Sequence, residues 1–255
     1  MIKYIKGTGP IVRESQRYVV DSEKPFKLSR TKIELFYKCP RCFYKNIKLG
    51  LREPSSPGWA INSAVDSLLK KEMDFCRKED RPHAVFKENN LNIKPFKHED
   101  LEIWQNSFKG IQFLDKEHNF LLYGGVDDIM VNEDDELVVI DFKATAKAAN
   151  IVSSADVYDN GKSYKRQLEI YSWLLQKNDF DVSSTGYLMY YNGDASKPHL
   201  GQEMYFRRTL VPFELDTNWI DPMIDNLYDC LQKDKMPDEN PDCEECVYLK
   251  TISEI

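Results

Sequence analysis

The stretch 138-VVIDFKAT-145 follows Leu137 with three more apolar residues, meets an aspartate, and sets a lysine two positions later. In an extended strand alternate side chains share a face, so Asp141 and Lys143 project together while Phe142 turns into the opposite layer. Upstream, "FLLYGGVDDIMV" (120–131) reads as a strand and "NEDDE" (132–136) as an acidic turn, which makes a hairpin and brings Asp127 broadly level with Asp141. Two carboxylates and one ammonium then meet on adjacent strands. Carboxylates brought close repel, and a hard divalent ion such as Mg²⁺ resolves this while keeping positions for water and phosphate oxygens. The ion lowers the pKa of a bound water and polarises a phosphoryl oxygen, and a lysine orients that water or stabilises the developing charge. That is the chemistry of a metal-dependent phosphodiesterase. A surface hairpin with a cross-strand ion pair satisfies the same triplet, so the surrounding sequence has to decide.

Working outward, "LSRTKIELFYKCP" (28–40) predicts a short helix capped by Ser29 and stopped by Pro40. "REPSSPG" (52–58) reads as a loop, and "WAINSAVDSLLKKEMDFCRK" (59–78) as a long helix with Ile61, Val65, Leu68, Leu69 and Met73 at helical spacing. Residues 80–110 read as irregular connections. "SYKRQLEIYSWLLQKN" (163–178) puts Tyr164, Gln167, Leu168, Tyr171 and Leu175 on one helical face, "STGYLMYYNG" and "QEMYFRRTL" read as strands, and a helix runs from about Leu215 to Leu231. The order of elements predicts an α/β fold with helices covering a central sheet.

The 255 residues suit one domain with a full core, and an apolar content of 42 % is that of a folded globular chain. No apolar run is long enough to cross a bilayer, and the first twenty residues do not resemble a signal peptide, so the chain reads as soluble and cytoplasmic. A net charge of −7 argues against an indiscriminate polyanion binder but not against a nuclease, whose metal-holding acids count as negative. The first thirty or so residues are locally basic (Lys3, Lys6, Arg13, Arg17, Lys24, Lys27, Arg30, Lys32), either as a solvated arm or as phosphate contacts.

"GGVDD", "VVIDFKAT" and "YKRQLEIYSWLL", in this order and spacing, resemble the glycine-hydrophobic-aspartate strand, the D-x-K strand and the Q-x-x-x-Y helix of the PD-(D/E)XK nuclease superfamily, in particular its RecB-like branch that includes CRISPR-adaptation exonucleases. The likeness covers residues 120–175 and, with "RTKIELFYKCPRCFYKNIKLGL", reaches across most of the chain. It implies a restriction-endonuclease-like core with a mixed sheet, Asp127, Asp141 and the Phe142 carbonyl as Mg²⁺ or Mn²⁺ ligands, and Lys143 as the catalytic lysine. Gln167 and Tyr171, four apart on one helix face, would stand beside the site, the amide on the lysine or a phosphate and the tyrosine on the DNA backbone or in the packing. The implied substrate is DNA, at ends or in single strands, within repair, recombination or mobile-element processing. A helicase or integrase partner is compatible with this, although no segment identifies one or fixes an oligomeric state.

One departure stands out. The RecB-like branch commonly carries a metal-binding histidine where "GWAIN" places Asn62. Asn62 or Asp66, one turn further on the same face, can offer an oxygen instead. The four histidines, His83, His98, His118 and His199, fall in expected loops. The alternative readings are a nuclease-fold DNA-binding module with little or no turnover, which the Asn62 substitution favours, and a purely structural thiolate-metal protein, which leaves the hairpin charges unexplained. No Walker loop, dinucleotide fingerprint or nucleophile elbow is present.

Six cysteines include two C-x-x-C pairs, Cys39 with Cys42 and Cys243 with Cys246, which read more readily as a metal site than as disulfides. Iron-sulfur members of the RecB-like branch place one cysteine after the first helix and three near the C-terminus around a [4Fe-4S] cluster; here the split is two and two. The resemblance points to the cluster, the spacing alone to tetrahedral structural zinc, and the balance favours the cluster. Cys76 and Cys230 read as packed thiols. The expected organisation is a single domain over 1–255, with an extension at 1–28, cysteine-pair segments at 29–50 and 237–250, and a nuclease core at 57–210.

Overall fold

The structure, a computed structural model, describes residues 12–51, 60–199 and 201–255. The order of elements is β1 (Phe26–Ser29), α1 (Arg30–Lys38), α2 (Pro40–Ile47), α3 (Ala60–Lys78), α4 (Ala84–Glu88), β2 (Lys94–Pro95), α5 (Leu101–Trp104) and β3 (Ile111–Asp115). There follow β4 (Phe120–Gly124), β5 (Asp128–Val131), β6 (Leu137–Thr145), α6 (Lys162–Gln176), β7 (Thr185–Gly193), β8 (Phe206–Glu214), α7 (Ile220–Gln232) and α8 (Glu244–Ser253). They fall into two compact units, one holding residues 12–51, 114–121 and 219–255, the other residues 60–113 and 122–218. Among the described residues no helix is long and apolar enough to cross a membrane.

The second unit is built on a mixed five-stranded sheet in the order β2-β5-β6-β7-β8, in which β6 and β7 alone run parallel. A parallel pair needs a crossover, and α6 supplies it. β6 is the central strand, so its apolar run is buried on both sides: Leu137 to Ile140 are all enclosed. One face packs Val138, Ile140 and Phe142 against Leu69 and Met73 of α3, with Met130, Met189 and Leu210. The other face carries Asp141 and Lys143 and meets α6. The hairpin turn closes as expected, with Asn132 Oδ1 accepting the N–H groups of Asp134 and Glu136 at 3.0 and 2.8 Å and Asp135 in the left-handed region.

The first unit contains α1, α2, α7 and α8. β1 lies beside the 114–121 tip, where Phe26 N donates to Asn119 O at 2.8 Å. Phe36 and Phe43 meet edge to face with centroids 5.1 Å apart, joining α1 to α2. Cys230 is a buried free thiol on α7, as Cys76 is on α3.

Several expectations are corrected. "FLLYGGVDDIMV" is two strands: β4 pairs with β3 in a separate sheet, and the chain breaks at Gly125–Asp127 before β5 enters the mixed sheet. Pro40 does end α1, but it also opens α2 as a first-turn residue, where its missing N–H costs nothing. Ser29 precedes α1 without a side-chain cap bond and is the last residue of β1. Residues 80–110 contain three short elements, α4, β2 and α5; α7 starts at Ile220 rather than near Leu215. On α3, Ile61 and Leu68 are exposed, and the buried face is Leu69, Met73, Cys76 and Arg77. The loop at 52–58, Trp59, Lys3 and Lys6 lie outside the described residues. Part of the basic segment is structural, since Arg17 bonds Glu14 at 2.9 Å and the Lys48 carbonyl at 3.0 Å.

Arg77 is the least expected member of the core. Its guanidinium reaches Asp128 Oδ1 at 2.5 Å and the Phe96 carbonyl at 2.7 Å and also contacts Asp74. Asp128 is fully buried, and burial pushes its carboxyl up to about 6 even though Arg77 and the Ile129 N–H pull it down. Removing one partner of such a pair strands a charge, whereas replacing both can be neutral. Arg77→Leu should therefore lower unfolding free energy in urea at pH 7 by about 3–5 kcal/mol, and adding Asp128→Leu should restore a good part of it. A single-variant loss under about 1 kcal/mol, the range of an exposed pair, would show that the pair is not a buried one.

Candidate active site

The β5–β6 register pairs Asp128 with Ile140, so Asp127, one residue before β5, comes level with Asp141. The two neighbouring aspartates of "GGVDD" diverge because successive residues in extended chain face opposite ways. Asp128 enters the core on Arg77, and Asp127 turns to the Asp141 side, where its Oδ2 accepts the Phe142 N–H at 2.7 Å. In a β-ladder the N–H and C=O of one residue point the same way, so the Phe142 carbonyl is aimed to the Asp127 side as well.

Asp141 is 1 % exposed, and a carboxylate so enclosed needs compensation. Its Oδ2 is paired with the Lys143 ammonium and its Oδ1 accepts from Gln167 Nε2 at 2.7 Å. Gln167 Nε2 therefore holds the aspartate rather than the lysine. The same amide lies 3.1 Å from the Tyr171 hydroxyl. Tyr171 is itself 3 % exposed, packed rather than presented to a DNA backbone. Sequence reasoning did not single out Tyr164 as a site residue; its ring carries the Lys143 ammonium 4.8 Å from its centroid. The period-3.6 stripe that placed Tyr164 beside Gln167 was the available signal.

The charges are out of balance. Burial first, then repulsion from Asp141 and more weakly from Asp66, holds the Asp127 carboxyl well above the usual range, against the pull of Lys143 and the Phe142 N–H. Burial works against the Lys143 charge, but Asp141 and Asp127 outweigh it and raise the ammonium's pKa. Two carboxyls face one ammonium here, and Asp127, Asp141 and the Phe142 carbonyl are hard oxygen donors of the kind that could hold a divalent cation.

Asn62, in the first turn of α3, lies beside the end of β6, where its Nδ2 donates to the Ala144 carbonyl at 3.0 Å, a bond that leaves its Oδ1 available. Asp66 pairs with Lys70 at 3.0 Å. Among the described residues no third carboxylate or imidazole completes a donor cluster with Asp127 and Asp141. Three of the four histidines are engaged elsewhere: His83 Nδ1 caps α4 through Val85 N, His98 stacks on Trp104 at 4.2 Å, and His118 bonds Asp115 at 2.7 Å; His199 is exposed in a loop. Beside Lys143 opens a cleft of about 140 Å³, lined among others by Asn62, Lys147, Tyr158, Tyr164 and Tyr190. In the first unit, Cys39, Cys42, Cys243 and Cys246 come together as free thiols with their sulfurs all within 4.8 Å of one another.

Against known proteins, the family model described as the PD-(D/E)XK nuclease superfamily matches residues 62–251. No curated protein matches the chain.

The glycine of the "GGVDD" motif has a physical reason. A β-carbon on Gly124 would lie 2.7 Å from Cε1 and 3.0 Å from Cδ1 of Tyr171, so the bare backbone is what lets α6 bring Tyr171 and Gln167 down beside Asp141. Gly124→Ala should cost about 1–3 kcal/mol in chemical denaturation. In a Tyr171→Leu background the same substitution should cost clearly less. Strict additivity of the two changes would mean that the ring does not set the approach of the helix.

Proposed function

The chain belongs to the PD-(D/E)XK nuclease superfamily, and on that premise we propose that it is a divalent-metal-dependent deoxyribonuclease that hydrolyses phosphodiester bonds at DNA ends or in single strands. The observation that carries this reading is the juxtaposition of Asp127 and Asp141 across β5 and β6 with Lys143 on the same face. Mg²⁺ or Mn²⁺ held by Asp127, Asp141 and the Phe142 carbonyl would supply Lewis acidity and an activated water. Lys143, bedded on Tyr164, is the cation that steadies the charge developing on the phosphate. Gln167 is a positioning residue that keeps the Asp141 carboxylate oriented.

The neighbouring cleft supports the substrate class. The tyrosines and lysines that line it, Tyr158, Tyr164 and Tyr190 with Lys143 and Lys147, are the residue types that track a single strand. A RecB-like role in repair, recombination or mobile-element processing, beside a helicase or integrase, is the context we favour, and the free cysteines suit a reducing, cytoplasmic compartment. One observation favours a second reading, a DNA-binding module with little turnover: among the described residues no histidine or third carboxylate joins Asp127 and Asp141.

The deciding experiment uses end-labelled single- and double-stranded DNA with Mg²⁺, Mn²⁺ or chelator, comparing the wild type with Asp141→Asn and Lys143→Ala. Cleavage should require metal, prefer single strands or ends, and fall about 10²–10³-fold in Lys143→Ala, with circular dichroism unchanged. Binding without metal-dependent cleavage would select the second reading, and cleavage persisting in both variants would sink the proposed centre.

A further inference from the structure

The four cysteines of the first unit allow their occupant to be argued from distances. Cys39 and Cys246 sulfurs lie 3.6 Å apart, Cys42 and Cys243 3.6 Å, and Cys42 and Cys246 3.8 Å. These are far too long for a disulfide, whose sulfurs are about 2.05 Å apart. They match edges of a tetrahedron around a single ion, since metal–sulfur bonds of about 2.3 Å put neighbouring sulfurs about 3.8 Å apart, and the other sulfur pairs lie within 4.8 Å. A four-iron cluster binds each thiolate to a different corner iron, so its thiolates point outward from a cube and stand farther apart than those sharing one metal. The expected [4Fe-4S] cluster does not fit between sulfurs this close.

We propose that Cys39, Cys42, Cys243 and Cys246 bind one zinc ion, and that this ion, rather than a hydrophobic face, docks α8 against the start of α2. A tetrahedral four-sulfur site suits zinc or iron, and zinc binds more tightly than ferrous iron in the common order of divalent affinities. All four positions are filled by protein, so the site is closed and structural, with no place for substrate or water. Each pair straddles a helix start. Cys39 precedes α2 and Cys42 is its third residue; Cys243 and Cys246 stand in the same relation to α8. The Cys42 N–H points to Cys39 Sγ at 3.4 Å, and unpaired N–H groups at a helix start favour thiolate charge.

The docking role rests on what α8 buries. Cys246 is its sole buried residue, while Val247, Tyr248, Leu249 and Ile252 are exposed. α8 therefore has almost no apolar surface holding it in place. The segment before it is tied by hydrogen bonds, from Arg41 to the Pro237 carbonyl at 2.9 Å, from Asn240 to the Lys38 carbonyl at 3.0 Å and from Tyr44 to the Asp234 carbonyl at 2.9 Å. Closing a loop of some two hundred residues costs entropy that grows only slowly with length, so one strong metal site is a sufficient clasp. This inference is independent of the nuclease reading.

The test is metal and acid-labile sulfide analysis of the whole chain, purified without oxygen from cells given both iron and zinc. One zinc per chain, no labile sulfide and no visible absorption are expected, and exchange with Co²⁺ should give the intense bands of a tetrahedral thiolate site. Four irons with matching sulfide, or no metal with four reactive thiols, would overturn the assignment. Hydrogen exchange before and after stripping the metal with a mercurial and chelator reads the docking: amides of 244–253 should lose protection at least tenfold. Unchanged protection there would refute the clasp even with zinc present. Cys243→Ser should reproduce the loss, and the stripped native chain answers the same question if that variant does not fold.

Discussion

A carboxylate buried at the end of a central strand constrains everything around it. Asp141 is enclosed because β6 lies in the middle of the sheet with helices on both faces, and the same strand buries Phe142 one residue on among Leu69, Met73 and Met130. Taking such a charge from water is costly unless partners recover the loss, and an ion pair in that position rarely improves on an apolar substitute. The chain nevertheless surrounds Asp141 with Lys143, Gln167 and, across the hairpin, a second acid. A neutral acceptor could serve the Phe142 N–H that this second acid holds; its charge repels Asp141 and raises the cost, and the local excess of acid makes the place attractive to a cation.

The two adjacent aspartates show how the backbone sorts identical chemistry into different uses. Asp128 is neutralised by a guanidinium inside the core, and Asp127 is left with a backbone N–H and a repelling neighbour. The alternation of a strand decides which is which. Gly124 serves the same site from a distance, since its lack of a β-carbon lets the Tyr171 ring and therefore Gln167 approach. Position is thus specified by packing at one end and by pairing at the other.

Much of this was legible in the sequence, because it depends on local periods. The period-2 run around Asp141 and Lys143, the acidic hairpin turn and the four-residue spacing of Gln167 and Tyr171 each determine a face, and the two C-x-x-C pairs announce a thiolate site. What depended on distant partners was hidden. Nothing near Arg77 announces that it ends on Asp128, and "FLLYGGVDDIMV", with apolar residues on both sides of its glycines and aspartates, conceals a change of sheet at Gly125–Asp127. The partner of Asn62 is a backbone carbonyl that no residue identity encodes. The spacing of four sulfurs, which separates one ion from a cluster, exists only in three dimensions.

If the proposed centre is right, Lys143 has two tasks that compete for the same ammonium. Paired with Asp141 and resting on Tyr164, it is the counter-ion that makes the enclosed carboxylate tolerable. A divalent cation reaching Asp141 would take over that role, and the attraction lost by the lysine would be replaced by the stronger attraction of a double charge at similar distance. On the proposed reading, the Lys143 ammonium, which shares a strand face with Asp141 and lies over the Tyr164 ring, would then be available to an anionic oxygen. A lysine two residues after the acid meets both demands of that reading: on one strand face it neutralises Asp141, and it would stay on that face with a cation bound.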